Sequence, residues 1–113
     1  MTKYARRERD CAYLKWIRRQ PCVLCSTEFH IEAAHIGPRA FGRKCSDRET
    51  APLCGWCHRQ GPHSLHRMGK KFWSHHQIDR LELIARLNRE YRESQEVAGV
   101  LSEEASRIRR GEV

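Results

Sequence analysis

The chain has 113 residues, with 22 Lys and Arg against 14 Asp and Glu, a formal charge of +8 and an isoelectric point near 9.6. That length makes one domain the default, with a modest core that three Phe, three Tyr and three Trp fill only in part. No apolar run is long enough for a signal peptide or a membrane span, so a cytoplasmic protein with no membrane partner is expected. The positive balance suits a nucleic-acid partner or an unspecific solvated surface.

Residues 1–9 are basic, lack apolar periodicity and read as a flexible start. Asp10 can cap a helix over about 11–19, in which Ala12, Tyr13, Trp16 and Ile17 recur at helical spacing and Arg18 and Arg19 suit the C-terminal end of the dipole. Pro21 ends it. After a tight turn from Cys22 to Cys25, residues 29–36 read as a short strand. On that strand His35 shares a face with Ala33 and Ile31, opposite Glu32 and Ala34. Gly37-Pro38 breaks it, and Arg39, Gly42, Arg43 and Lys44 form a basic loop able to follow a phosphate backbone or simply to be solvated.

Ser46-Asp47 signals a turn, and a second strand near 50–53 leads into Cys54. His58-Arg59-Gln60 can start a helix that Gly61-Pro62 interrupts. Ser64 can cap a further helix over about 65–75, with Leu65, Met68, Phe72 and Trp73 along it. Ile78, Leu81, Ile84, Leu87 and Tyr91 recur every three or four residues and predict an amphipathic helix to about residue 92. Val97, Val100, Leu101, Ala105 and Ile108 can line a final helix despite Gly99, making 93–113 a C-terminal helical extension.

Cys22, Cys25, Cys54 and Cys57 form two C-x2-C knuckles. In a reducing compartment this spacing reads as metal ligation and not as disulfides. Each turn brings two sulfurs toward one ion, and two turns complete the tetrahedral thiolate shell that Zn2+ accepts. The prediction is a structural zinc that supplements a small core. Cys11, in the first helix, is expected to be a buried small hydrophobe, and Cys45 has no assigned role.

Histidines cluster around the knuckles: His35 between them, then His58, His63 and His66. Neutral imidazoles ligate transition metals and also act as general bases near neutral pH. In combination, Pro21-Cys22-x-x-Cys25, Ala34-His35-Ile36, Lys44-x-Ser46-Asp47, Pro52-Leu53-Cys54-x-x-Cys57-His58 and Leu65-His66 resemble the HNH endonucleases of the ββα-metal (His-Me finger) fold. With Trp16-Ile17-Arg18 before the first knuckle and Gly69-Lys70-Lys71-Phe72-Trp73 after the last histidine, the chain is similar to phage and prophage members related to the RecA-dependent nuclease Ref.

The resemblance covers about residues 10–90. It implies an α+β fold: a zinc-stapled ββα-metal core, within a domain over 10–92, flanked by N- and C-terminal helices. It implies hydrolysis of DNA phosphodiester bonds with low sequence specificity. His35 matches the general base and His58 a ligand of the catalytic divalent ion. His66 matches the further ligand, with His63 as its competitor. The middle Asn of the motif is absent; Asp47, or else Glu49, stands nearest its place and is expected to orient the base or its loop. Many members carry Asp or His just before the base, where this chain has Ala34, which leaves a shell of histidines and water. The ion implied is Mg2+ or Mn2+, while an imidazole-rich shell also suits Ni2+ or Zn2+. Arg39, Arg43, Lys44 and Arg59 are candidate phosphate contacts. DNA, double- or single-stranded, is the implied partner, with a recombinase filament as a second. Ala34 also favours an alternative, a non-catalytic zinc module that binds nucleic acid or a recombination protein. A third reading is an adaptor that docks through the amphipathic 78–91 helix.

Overall fold

The structure is a computed structural model and describes residues 9–37 and 45–109. Helix α1, Cys11–Arg18, starts at Asp10, whose carboxylate accepts from the Tyr13 N–H at 3.0 Å. That bond satisfies a donor the first helical turn would otherwise leave orphaned. Tyr13 and Ile17, one turn apart, form its buried stripe. Cys11 is exposed, contrary to the sequence expectation. It lies about 200° around the helix from Tyr13, on the solvent side.

Strand β1, Ile31–His35, pairs antiparallel with β2, Thr50–Cys54, from Ile31 opposite Cys54 to His35 opposite Thr50. β1 is shorter than the predicted 29–36 because His30 takes a left-handed φ of 56°, which ends the extended conformation. β2 is buried along its whole length. Its Pro52 is tolerated because each strand of a two-stranded sheet keeps one open edge. The Pro52 carbonyl accepts from the Val23 N–H at 3.1 Å, so the first knuckle rests on β2.

A π turn, Trp56–Gln60, follows β2 and closes on a bond from the Gly61 N–H to the Trp56 carbonyl at 2.8 Å. Glycine is needed there, since a Cβ at position 61 would meet the Trp56 indole at 2.7 Å. Where the periodicity predicts one helix over 65–75, the chain forms two: α2, Leu65–Met68, and α3, Lys71–His75. Gly69, at φ +58°, ends the first of them. Ser64 stands at the N-cap of α2 but makes no side-chain capping bond.

Helix α4, Arg80–Arg109, has 30 residues and spans about 45 Å. Asp79 caps it, accepting from the Glu82 N–H at 3.1 Å. Its buried stripe is Leu83, Ile84, Leu87 and Tyr91. Leu81, a predicted member, is 62% exposed, and Leu83 takes its place. The segment from 93 continues α4 and is not a separate helix. Ser94 folds its hydroxyl onto the Tyr91 carbonyl at 2.7 Å, and a lone Gly99 costs only about 1 kcal/mol.

The core gathers Tyr13, Ile17, Ala34, Leu53, Phe72, Leu87 and Tyr91. Tyr13 and Tyr91 meet edge to face at 5.0 Å, and the Arg48 guanidinium lies 5.0 Å from each ring centre. Arg48 also donates from Nε to Asp10 at 2.8 Å, and its carbonyl accepts from the Asn88 side chain at 3.0 Å. α1 and α4 are thereby pinned to the turn that precedes β2. The fold is α+β, and among the described residues no helix is long and apolar enough to cross a membrane.

Candidate metal centre and histidine site

The two knuckles converge. The sulfurs of Cys22, Cys25, Cys54 and Cys57 all lie within 4.8 Å of one another, and Cys25 Sγ is 3.6 Å from Cys54 Sγ. Tetrahedral zinc with bonds of about 2.3 Å requires sulfurs roughly 3.8 Å apart. The first knuckle is shaped by backbone bonds from the Cys22 N–H to the Thr27 carbonyl and from the Ser26 N–H to the Cys22 carbonyl, both at 2.9 Å, with Ser26 left-handed at φ 62°. The second straddles the end of β2 and the start of the π turn, so strand pairing carries it toward the first.

The electrostatics of the set favour a cation. Burial pushes the Cys22 thiol up, but the backbone N–H groups of Cys25, Cys54 and Leu24 outweigh it and bring the thiol down to about 7. Cys57 moves the other way, raised by burial and by the neighbouring Cys54 and Cys22 sulfurs. Four sulfurs this close cannot all ionise without a counter-charge, which a divalent ion supplies. Among the described residues this is the one group with three or more metal-ligand atoms at one point, and it can hold a zinc ion.

The histidines divide into separate arrangements. His35, at the end of β1, has its Nε2 2.9 Å from Asp47 Oδ1. Asp47 is completely buried. Its other oxygen accepts from the Asp10 N–H at 2.9 Å, with Arg9 Nε at 3.6 Å. The Thr50 hydroxyl donates to the Asp47 carbonyl at 2.9 Å. One carboxylate therefore joins the start of α1 to the end of β1. Glu49, the other candidate for this position, turns back to accept from the Ser46 N–H at 3.2 Å.

His58 lies on the π turn, and its ring stands edge-on to that of His66 on α2, with centres 4.5 Å apart. The His63 ring instead stacks on His75 at 4.7 Å, and its carbonyl accepts from His76 Nε2 at 2.9 Å. His35, His58 and His66 form no three-ligand set. Ala34 is fully buried and adds no ligand.

Glu32 is the residue to which sequence reasoning gave no role. Its Oε1 is 2.8 Å from His58 Nδ1 and accepts from Arg59 Nε at 3.0 Å, while Oε2 accepts from the Arg59 Nη2. Burial raises the Glu32 carboxyl, but the bonds from Arg59 and His58 prevail and hold it below its ordinary value. Burial holds His58 below the usual imidazole range, aided by His66 and opposed by Glu32. At neutral pH Glu32 is thus an ionised acceptor and His58 a neutral ring donating through Nδ1–H, with its lone pair on Nε2. The one available signal was strand alternation, which puts Glu32 on the face of Ala34. Arg59, predicted to contact phosphate, is engaged with this carboxylate. Arg39, Arg43 and Lys44 lie outside the described residues. No protein-family model, curated protein or solved structure matches this chain.

Proposed function

We propose that this chain is a metal-dependent endonuclease of the HNH type, hydrolysing DNA phosphodiester bonds with little sequence selectivity. The observation that carries the reading is His35 at the end of β1, bonded at 2.9 Å to the buried Asp47. A carboxylate behind an imidazole fixes its tautomer and stabilises the imidazolium formed when the ring takes a proton. With Nε2–H directed to Asp47, Nδ1 is the nitrogen that takes the proton of the attacking water. Two antiparallel strands followed by a helical turn bearing His58 suit a ββα-metal core, and the tetrathiolate set would hold that core in register. His58 and His66 are the residues that would hold the catalytic ion. Bound there, Mg2+ or Mn2+ (or Ni2+ or Zn2+) would neutralise charge on the phosphate and on the leaving O3′. The products would be a 3′-hydroxyl and a 5′-phosphate. The charge of +8 favours DNA as the partner, and a recombinase filament remains a proposed partner on resemblance alone.

Ala34 favours a second reading, a non-catalytic zinc module that binds nucleic acid. It is buried where a carboxylate ligand would otherwise stand. Supercoiled plasmid incubated with Mg2+ or Mn2+ separates the two. His35→Ala is expected to slow nicking by roughly 10²- to 10⁴-fold. If wild type binds DNA yet cuts no faster than His35→Ala with any divalent ion, the nuclease reading is lost and the binding module stands.

A further inference from the structure

Ala34 leaves β1 without a carboxylate beside His35, but the same strand face carries one two residues earlier. Glu32 reaches across to the π turn and meets His58 Nδ1 at 2.8 Å. Arg59 grips the same carboxylate through two nitrogens. A carboxylate held by a guanidinium fork has a fixed orientation, and an imidazole donating through Nδ1 presents Nε2 on its opposite edge. His66 stands against that ring, 4.5 Å centre to centre. The chain thus has the outer half of a carboxylate–histidine–metal relay, in which a second partner sets the ring's tautomer and rotation.

We propose that Glu32 is a positioning residue for a divalent cation: locked by Arg59, it holds His58 as the Nδ1–H tautomer so that Nε2 and His66 receive the ion together. This rests on the reading of His58 and His66 as a divalent-ion site. It makes Arg59 a support for Glu32 and not a phosphate contact. It also explains how a site without a carboxylate at position 34 keeps an anionic group within one imidazole of the ion.

The test uses the full untagged chain with its thiolate zinc in place. Imidazole nitrogen NMR, read before any further ion is added, is expected to show His58 as the Nδ1–H form in wild type and as mixed tautomers in Glu32→Ala. Glu32→Gln keeps an acceptor oxygen and is expected to retain the wild-type tautomer. Calorimetric titration with Ni2+ as the probe is expected to show affinity in Glu32→Ala weakened roughly 10- to 100-fold, with Glu32→Gln between. An unchanged His58 tautomer or an unchanged Ni2+ affinity in Glu32→Ala overturns the assignment. Should Glu32→Ala lose its fold, Glu32→Gln alone decides, and wild-type affinity there overturns it. Neither readout involves cleavage. A chain that shows both effects but cuts no DNA overturns only the nuclease reading, whereas a wild type with no Ni2+ site beyond the thiolate zinc overturns both.

Discussion

Two acidic side chains organise the candidate chemistry, and they differ in how visible they are in the sequence. Asp47, or else Glu49, is nearest to the place of the absent Asn in the motif that the chain resembles, so a role in orienting the base or its loop is an expectation from resemblance. What spacing does not reveal is its full burial and its second bond to the Asp10 N–H. Replacing it with Ala removes the buried acceptor of that N–H and of His35 Nε2. Asp47→Ala is therefore expected to lower stability by roughly 2–4 kcal/mol, as measured by urea unfolding of the zinc-loaded chain. A loss within experimental error would mean that the carboxylate contributes nothing to holding α1 against β1. Glu32 was not legible, because its partner lies 26 residues along the chain on a turn whose π geometry no periodicity announces.

At the scale of elements, the strand pair and the start of α1 follow the sequence closely, whereas Ser64 makes no capping bond and Gly69 splits a predicted helix. Asp10 caps α1 as its position predicts, because an N-cap bond is local and needs only the residue and the next turn. The periodicity runs through Gly69, since a glycine tells that a left-handed residue is allowed and not that one is used. The sequence puts Cys11 and Leu81 inside, yet both are exposed; helical spacing defines a stripe, but the neighbouring elements choose its centre. Ser94 to Gly99 is continuous helix. A Cβ at Gly99 meets nothing within 4 Å, so Gly99→Ala is expected to strengthen the distal part of α4 by about 1 kcal/mol. Hydrogen exchange of the amides around position 99 should slow roughly 5-fold, and unchanged exchange would show that the helix there is not limited by backbone propensity.

For the whole molecule, the tetrathiolate set is where the halves of the chain meet. Cys22, Cys54 and Cys57 belong to the buried core as well as to the metal-ligand group. One tightly held zinc per chain is expected by metal analysis. Its removal by chelation, or Cys54→Ser, should abolish the cooperative unfolding transition. A folded, zinc-free chain would show that the aromatic cluster around Tyr13 and Tyr91 suffices alone. The sequence by itself determined the two knuckles, the two strands and the Asp10 cap of α1. These depend on residue type and short-range spacing, which are complete in the chain as written. Only the tertiary structure decided which histidine meets His58, that Arg59 faces Glu32, and that Asp47 is buried. Those outcomes depend on the rotation and approach of elements far apart in sequence, and such geometry is set by packing the whole core at once.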